Sequence, residues 1–424
     1  MKNLLKSFVA FFLALLARAV VRRYRPRIVM VTGSVGKTTT KDAVAAVLAE
    51  RFYVRASEKS FNSEFGVPFT IFGVGNPWSN PLEWFTTVKN ALALLILPNH
   101  YPNMLVLEVG ADRPGDITNI LRIITPDVVV ITHLPEIPAH VEAYASPEAV
   151  REEEFSPAYA LRAAAPLIIS ADDLYALDSA VRTPARCISY GVAASADVRV
   201  SDIGFYELGG KIAGMRSSVQ FAGERVHLVV KGSVGATQLQ SSAAALATAL
   251  ALDISLPEAL TALESYEPPP GRGRLLAGKN DSIIIDDSYN SSPAAVEEAL
   301  ATLKAFPNAK RRIAVLGDML ELGRYSSMEH ARIGAFASDS ADVIAAVGVR
   351  SRVFATAAKD AEVLLFDNAR AAAPALADFV RPGDVILVKG SQSIRTERIV
   401  KALLADPSDA VRLVRQERAW KRKL

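Results

Sequence analysis

The stretch from Arg27 to Glu50 constrains the fold of this chain more than any other part of the sequence. It begins with a β-branched apolar run, passes through the turn-forming residues Gly33 to Gly36, and continues as an Ala-rich pattern with helical spacing. A strand, a glycine-containing loop and a helix in this order are typical of a phosphate-binding loop, where backbone N–H groups and the helix N-terminus bind an anion. The loop is a shortened form, because Val31 stands where the usual motif has its first glycine. A plain strand-to-helix turn is the alternative interpretation.

Two side chains at the end of this loop, and one acid further along, predict nucleotide and metal binding. Lys37 can reach the outer phosphates of a nucleotide, and the hydroxyl of Thr38 can ligate Mg²⁺. Glu108 directly follows the apolar strand predicted over Met104 to Leu107, which is where P-loop folds place an acid near the metal. For Glu108 the alternative is a solvated carboxylate after a strand.

The composition excludes several classes of protein. A chain of 424 residues suggests roughly two to three domains. Lys and Arg number 48 against 45 Asp and Glu, so no excess of positive charge argues for a nucleic-acid partner. The single cysteine, Cys187, excludes an intrachain disulfide framework and a cysteine-based zinc site.

Residues 1–26 precede the first predicted strand and contain an apolar run, Phe8 to Ala17, between basic residues. The run is too short to span a bilayer comfortably, and export as a signal peptide would separate the P-loop from its nucleotide. We therefore expect residues 1–26 to form an apolar, basic helix. Residues 1–25 of this helix either lie on the inner face of the cell membrane or dock on the protein's own surface.

The rest of the chain alternates apolar strand candidates with helical segments, which indicates a mostly parallel sheet wrapped by helices. One helix is predicted from Trp78 to Leu97, and an antiparallel extension of the same sheet is predicted from Cys187 to Lys231. Three prolines and a glycine at 268–271 mark the strongest domain boundary. We predict an α/β fold with a P-loop central domain at 27–270, followed by a Rossmann-like α/β domain at 271–424. Its five strand candidates lie at 282–286, 312–316, 343–347, 363–366 and 385–388.

Eight short motifs occur in order across both predicted domains. They are TGSVGKTT at 32–39, Asn62 with GVP at 66–68, LEVGA at 107–111, AHVE at 139–142, PGR at 270–272, DDSYN at 286–290, LGDMLELG at 316–323 and VKGS at 388–391. Together they resemble the Mur ligases, most closely the MurF-type branch, which joins D-alanyl-D-alanine to a peptidoglycan precursor. The resemblance runs from about Arg27 to Leu404.

The resemblance implies ATP-dependent amide ligation through an acyl phosphate, with Mg²⁺ neutralising phosphoryl charge. The catalytic residues it implies are Lys37, Glu108, His140 and Glu154, and the implied Mg²⁺ ligands are Thr38, Glu108, His140 and Glu154. The implied nucleotide-binding residues are Gly33, Ser34, Val35, Gly36, Lys37, Thr38, Thr39, Arg272 and Asn290. The implied substrate contacts are Asn62, Lys389, Ser391 and Arg395.

Glu154 departs from the family pattern. The family carries a lysine, carbamoylated in the mature enzyme, fourteen residues after the histidine matched by His140, and Glu154 occupies that place here. A carbamate is an anionic oxygen donor, and a glutamate supplies the same charge without CO₂. A shift of one residue would select Glu153 instead, and a solvated acidic helix face is the other alternative.

The resemblance begins after residues 1–26, so we expect the family's N-terminal UDP-binding domain to be missing. The leading prediction is a monomeric cytoplasmic ligase that adds D-alanyl-D-alanine, or a similar amine, to a sugar-peptide precursor. One alternative is a Mur-related ligase for a different acceptor, for example a lipid-linked one. The other is a non-catalytic nucleotide-binding partner.

Overall fold

The computed structural model describes residues 2–58, 61–77, 80–417 and 420. Within these residues the chain forms two sheets, one on each side of the prolines at 268–270. Both sheets are mostly parallel and are accompanied by helices. This confirms the predicted α/β fold class.

The first sheet surrounds the P-loop. Its strands are β1 (Arg27–Thr32), β2 (Val54–Ala56), β3 (Met104–Glu108), β4 (Val128–Ile131), β5 (Pro166–Ser170), β6 (Arg186–Gly191), β7 (Val198–Leu208), β8 (Lys211–Phe221) and β9 (Glu224–Lys231). Over the described residues their order is β2-β3-β1-β4-β5-β6-β7-β8-β9. Neighbours from β2 to β7 are parallel, whereas β7, β8 and β9 are antiparallel.

The antiparallel extension begins later than predicted. β6 contains Cys187 but still runs parallel to β5, because the chain crosses over through a helix at Leu174–Ala180 before it enters β6. The antiparallel pairing starts only where β7 turns directly into β8. The prediction from Cys187 onward was therefore wrong for β6 and correct for the three strands after it.

Helices cover both faces of this sheet. They are α1 (Lys2–Tyr24), α2 (Lys37–Leu48), α3 (Gly66–Phe72), α4 (Pro81–Ile96), α5 (Asp116–Leu121), α6 (Pro147–Phe155), α7 (Leu174–Ala180), α8 (Ala236–Ala251) and α9 (Leu256–Glu264). Asn80 caps α4 by accepting a hydrogen bond from the backbone N–H of Leu82 at 3.0 Å, whereas the predicted helix start, Trp78, lies outside the described residues. In the part of the chain described by the structure, no helix is long and apolar enough to cross a membrane.

The second sheet follows the proline segment. Its strands are β10 (Arg274–Gly278), β11 (Ser282–Asp287), β12 (Arg311–Gly317), β13 (Val343–Val347), β14 (Glu362–Phe366) and β15 (Asp384–Lys389). Its helices are α10 (Pro293–Ala305), α11 (Ser326–Ser338), α12 (Phe354–Ala357), α13 (Ala369–Phe379) and α14 (Glu397–Leu403). The order of the described strands is β10-β11-β15-β12-β13-β14, with β10 antiparallel to β11 and the other pairs parallel. Five of these strands were predicted, and β10 was not.

The central strands of the first sheet are buried and parallel, and their direction brings the functional loops together at one edge of the sheet. Every residue of β3 and β4 is buried, as is all of β1 after Arg27, because helices cover both sheet faces. α8 is rich in alanine and packs closely against α2. Since β1, β3 and β4 are parallel, their carboxyl ends bring the P-loop, the loop after Glu108 and the loop after Ile131 to the same crevice.

Candidate active site

The P-loop is shaped by two glycines and by the end of β4. Gly33 and Gly36 have φ values of 121° and 88°, which favour glycine, and a Cβ on Gly33 would lie 2.3 Å from the Thr132 hydroxyl oxygen. The backbone N–H groups of Ser34 and Val35 donate to the carbonyl of His133 at 2.9 and 3.2 Å. The loop is thus held in place while the first turn of α2, whose N–H groups have no intrahelical acceptor, opens into the crevice.

Lys37 lies at the centre of the crevice. Its ammonium donates to the carbonyl of Gly33 and lies 3.6 Å from Oε1 of Glu154. Gly110 allows a close approach here: a Cβ at that position would be 3.0 Å from Nδ2 of Asn62 and 3.5 Å from Cε of Lys37. The structure therefore places Asn62, predicted to contact substrate, next to the P-loop lysine.

Glu108 and Thr38 form the best candidate for a metal site. The Glu108 side chain is buried, and its Oε2 atom has no hydrogen-bond partner. Burial raises the pKa of this carboxyl. The positive charges of Lys37, Lys41 and Arg272 and a hydrogen bond with the Thr38 hydroxyl lower the pKa, but by less than burial raises it. A buried carboxylate oxygen without a partner, beside a hydroxyl, fits Mg²⁺, which prefers oxygen ligands and takes the others from phosphates and water.

Glu154 points at the P-loop from α6. It is 2% exposed, and its Oε2 atom accepts a hydrogen bond from the Ser34 hydroxyl. The neighbouring acids point elsewhere: Glu153 accepts from backbone N–H groups at the start of α5, and Glu152 pairs with Arg182. Of the three consecutive acids, Glu154 alone faces the loop.

His140 faces the second domain. Its Nδ1 atom lies 2.8 Å from Oε2 of Glu321, and its Nε2 atom lies 3.6 Å from Oδ1 of Asp112. Burial alone would lower the pKa of His140, but the hydrogen bond and charge of Glu321 and the charge of Asp112 give a net increase. Among the described residues, no group of three or more His, Cys, Asp or Glu side chains is arranged to hold a metal ion. In this arrangement His140 contacts Glu321 and Asp112, whereas Glu154 contacts Ser34 and Lys37.

The second domain contributes an arginine and a lysine to the crevice. Arg272 donates from Nη2 to the Thr38 hydroxyl at 3.3 Å, and its guanidinium lies 4.2 Å from the ring centre of Tyr289. Lys389 donates to Asp287 at 2.5 Å and to the carbonyl of Asn290 at 3.1 Å. Gly36, Thr39, Arg272 and Lys389 all line one cavity of about 60 Å³ between the domains. Lys389, predicted to contact the incoming substrate, thus lines the same cavity as the P-loop residues Gly36 and Thr39.

The two remaining predicted substrate contacts have structural partners. The Ser391 hydroxyl accepts from the backbone N–H of Leu320 at 2.9 Å, so it supports the loop that carries Glu321. Arg395 is 7% exposed and donates to Glu397 at 2.6 Å and to the carbonyl of Trp420 at 3.1 Å. The structure does not bring Arg395 to the crevice.

Two acids that sequence reasoning missed connect the domains. Glu321 reaches His140, and its position inside the LGDMLELG motif was the available signal. Glu298 on α10 accepts hydrogen bonds from the backbone N–H and the hydroxyl of Thr237, and burial raises its pKa despite those bonds. Nothing in the local sequence distinguishes Glu298 from an ordinary helix-surface acid.

A P-loop that faces a buried acid, with a second α/β domain supplying an arginine to the same crevice, defines a two-domain nucleotide-binding enzyme. The sequence profile of the Mur ligase middle domain matches residues 31–249, and that of the Mur ligase glutamate ligase domain matches residues 271–392. The chain belongs to the Mur ligase family. It is therefore an ATP-dependent ligase that forms amide bonds, as predicted.

Relatives and solved structures match across both domains. The UDP-N-acetylmuramoyl-tripeptide–D-alanyl-D-alanine ligase of Bacillus subtilis (strain 168) is 27% identical over 406 residues, which is 92% of this chain and 79% of the relative. The enzyme of the same name from Mycobacterium bovis is 30% identical over 404 residues, covering 89% of this chain and 73% of the relative. The crystal structure of MurF ligase from Thermotoga maritima in complex with ADP superposes with a TM-score of 0.76 at 25% identity, covering 93% of this chain and 83% of that one.

Proposed function

We propose that this chain adds D-alanyl-D-alanine, or a closely similar amine, to the peptide carboxylate of a peptidoglycan precursor, with ATP and Mg²⁺. The observation that carries the proposal is the likeness to ligases named for this reaction, which extends over both domains. The arrangement of Lys37, Thr38 and Glu108 around one crevice supports it. We further propose that the chain acts as a monomer in the cytoplasm, where ATP and the precursor are available.

In the first step an oxygen of the acceptor carboxylate attacks the γ-phosphorus of ATP, and ADP leaves with the electrons of the broken P–O bond. Lys37 and the N-terminus of α2 bind the migrating phosphoryl oxygens, and Arg272 grips phosphate from the second domain. Bound Mg²⁺ supplies charge neutralisation at these oxygens, held by Thr38 and Glu108.

In the second step the amine nitrogen attacks the carbonyl carbon of the acyl phosphate. Inorganic phosphate leaves from the tetrahedral intermediate with the electrons of the C–O bond, and the surplus amine proton passes to solvent. Asn62 beside Lys37 and the interdomain pair His140–Glu321 enclose the crevice and position the two substrates.

Glu154 supplies the anionic charge that the family obtains from a carbamoylated lysine. Its burial, its hydrogen bond from Ser34 and its 3.6 Å distance to Lys37 support this role. From this position beside the P-loop the Glu154 carboxylate would add negative charge next to Lys37 and would be available to a second bound Mg²⁺. It needs no CO₂.

The test is mass spectrometry of the product formed from ATP, Mg²⁺, D-alanyl-D-alanine and UDP-N-acetylmuramoyl-tripeptide. The expected result is one new amide, with one ADP released for each product molecule and no product from Lys37→Ala. If ADP is released only with another acceptor, such as a lipid-linked sugar peptide, the ligase chemistry stands but the UDP-linked precursor is not the substrate. No ADP with any acceptor would refute the proposal and favour a nucleotide-binding partner.

A further inference from the structure

α1 buries one side and exposes an apolar stripe on the other. Leu13, Ala17 and Val20 are buried in the core, where α1 packs against α3 and α4. In contrast, Phe11 and Leu15 are 63% and 49% exposed. The fold therefore accounts for only one of the two apolar sides of this helix.

α4 adds a second exposed apolar stripe beside the first. Phe85 and Ile96 are each 72% exposed, although Ala91 and Leu94 on the same helix are buried. The two helices are joined at their C-terminal ends, where the Tyr24 hydroxyl donates to the carbonyl of Leu94 at 2.8 Å and Arg23 donates to that of Leu95 at 2.7 Å. We call the exposed residues of α1 and α4 the two-helix surface. Large apolar side chains exposed on two packed helices indicate a binding surface.

The two-helix surface is basic at its edge. The stripe on α1 continues from Leu15 to Arg18 and Arg22 at helical spacing, and both arginines are exposed. α1 contains no acidic residue, and α4 contributes an exposed Lys89 against one acid, Glu83. An apolar surface with a positively charged edge fits the boundary between acyl chains and anionic headgroups.

A groove along α1 also combines apolar side chains with positive charge. It has a volume of about 500 Å³, and its apolar wall includes Phe11 and Leu15. Arg18 and Arg122 stand at the groove with one acid, Glu64. Such a volume falls within the range of about 300–1,000 Å³ that binds small ligands, and an acyl chain with a negatively charged headgroup matches this lining.

We propose that the two-helix surface docks the enzyme on an anionic lipid bilayer. Phe11, Phe85 and Ile96 enter the interfacial region, while Arg18 and Arg22 contact anionic headgroups. A second copy of this chain fits the surface less well, because it would bring a helix without acidic residues against these arginines. The proposal does not rest on the ligase reaction, since binding requires neither ATP nor substrate.

The test is co-sedimentation of the full chain with vesicles of phosphatidylcholine alone or mixed with phosphatidylglycerol. Wild-type protein is expected to sediment with the anionic vesicles and to stay in solution with the neutral ones. Arg18→Gln/Arg22→Gln is expected to bind anionic vesicles about 25-fold more weakly, because each basic side chain near such a surface contributes about fivefold. Phe11→Asp/Phe85→Asp is expected to lose sedimentation, whereas the matched control Met328→Asp, an exposed position on α11, is expected to bind like wild type.

Three outcomes would overturn the proposal. The first is wild-type protein that stays in solution with both vesicles. The second is an aspartate double variant that sediments as well as Met328→Asp. The third is a lipid-free dimer, detected by sedimentation velocity and abolished by Phe11→Asp/Phe85→Asp, which would assign the surface to a second copy. Far-ultraviolet circular dichroism checks that the variants are folded, and unimpaired ligation by the aspartate variant would separate docking from chemistry.

Discussion

Replacing Glu154 by glutamine removes a buried negative charge while keeping the shape of the side chain. Oε1 of Glu154 lies 3.6 Å from the Lys37 ammonium, and the two side chains are 3% and 15% exposed. At an effective dielectric constant of about 20 this distance corresponds to about 4–5 kcal/mol of gross attraction. Part of it is offset by the desolvation of both groups, and breaking such a pair costs about 3–5 kcal/mol. If that interaction is lost while the phosphoryl group is in transit, the turnover number falls by about 10²–10⁴-fold.

The assay is ADP release at saturating ATP and acceptor, with circular dichroism to confirm folding. Glu152→Gln is the matched control, because Glu152 is an adjacent acid on the same helix but pairs at the surface with Arg182, a contact of little energetic weight. Its turnover is expected to stay near that of wild type.

A second variant sharpens the test. Glu154→Lys restores the lysine that the family carries, and we expect its activity to depend on added bicarbonate, which would carbamoylate it. Wild-type turnover by Glu154→Gln, or full activity of Glu154→Lys in a CO₂-free buffer, would refute the need for an anion at this position.

Three further predictions concern the crevice and the domain contact. Lys37→Ala is expected to reduce acyl-phosphate formation by about 10²–10³-fold or more, because the migrating charge loses its main cation, and trapping of the acyl phosphate measures this. Thr237→Val removes a donor to the buried Glu298 and is expected to lower the free energy of unfolding by about 1.5–3 kcal/mol in a urea titration, whereas an unchanged midpoint would contradict the contact. Burial raises the pKa of Asp286 to about 6 from its usual 3.8, so the folded state holds a proton that the unfolded chain releases between these values, and stability falls as the pH rises through that window. The free energy of unfolding is expected to differ by about 3 kcal/mol between about pH 4 and about pH 8, and urea titrations at the two pH values measure it. Wild type should show this difference and Asp286→Asn should not. Equal pH dependence in both proteins would contradict the prediction.

The P-loop could be predicted because its geometry is local. A strand, two glycines and a helix within one short stretch determine the cradle, and the apolar runs of β1, β3 and β4 are long enough to identify buried parallel strands. β10 was missed for the opposite reason. Its short sequence is ordinary, and it forms because it pairs with β11 and extends the hydrogen bonds that residues 232–234 make across the proline segment.

The choice among Glu152, Glu153 and Glu154 also lay beyond the sequence. Successive residues on a helix differ in direction by about 100°, so only the orientation of α6 decides which of them faces the loop. The partners of Arg395 were equally hidden: its position after β15 predicted a substrate contact, and the structure shows its guanidinium donating to Glu397 and to the carbonyl of Trp420. Contacts between domains, such as His140 with Glu321, depend on how two separate sheets meet and have no local signature.

The cavity between the domains is small for a nucleotide. Its volume of about 60 Å³ is far below the roughly 300 Å³ or more of a typical ligand pocket. The connection between them contains Gly271 and Gly273, both with φ of 68°, and their carbonyls accept hydrogen bonds from the backbone N–H groups of Tyr289 and Val234. If the domains must move apart to exchange ADP for ATP, that motion rather than phosphoryl transfer limits turnover, and the maximal rate will fall as solvent viscosity rises.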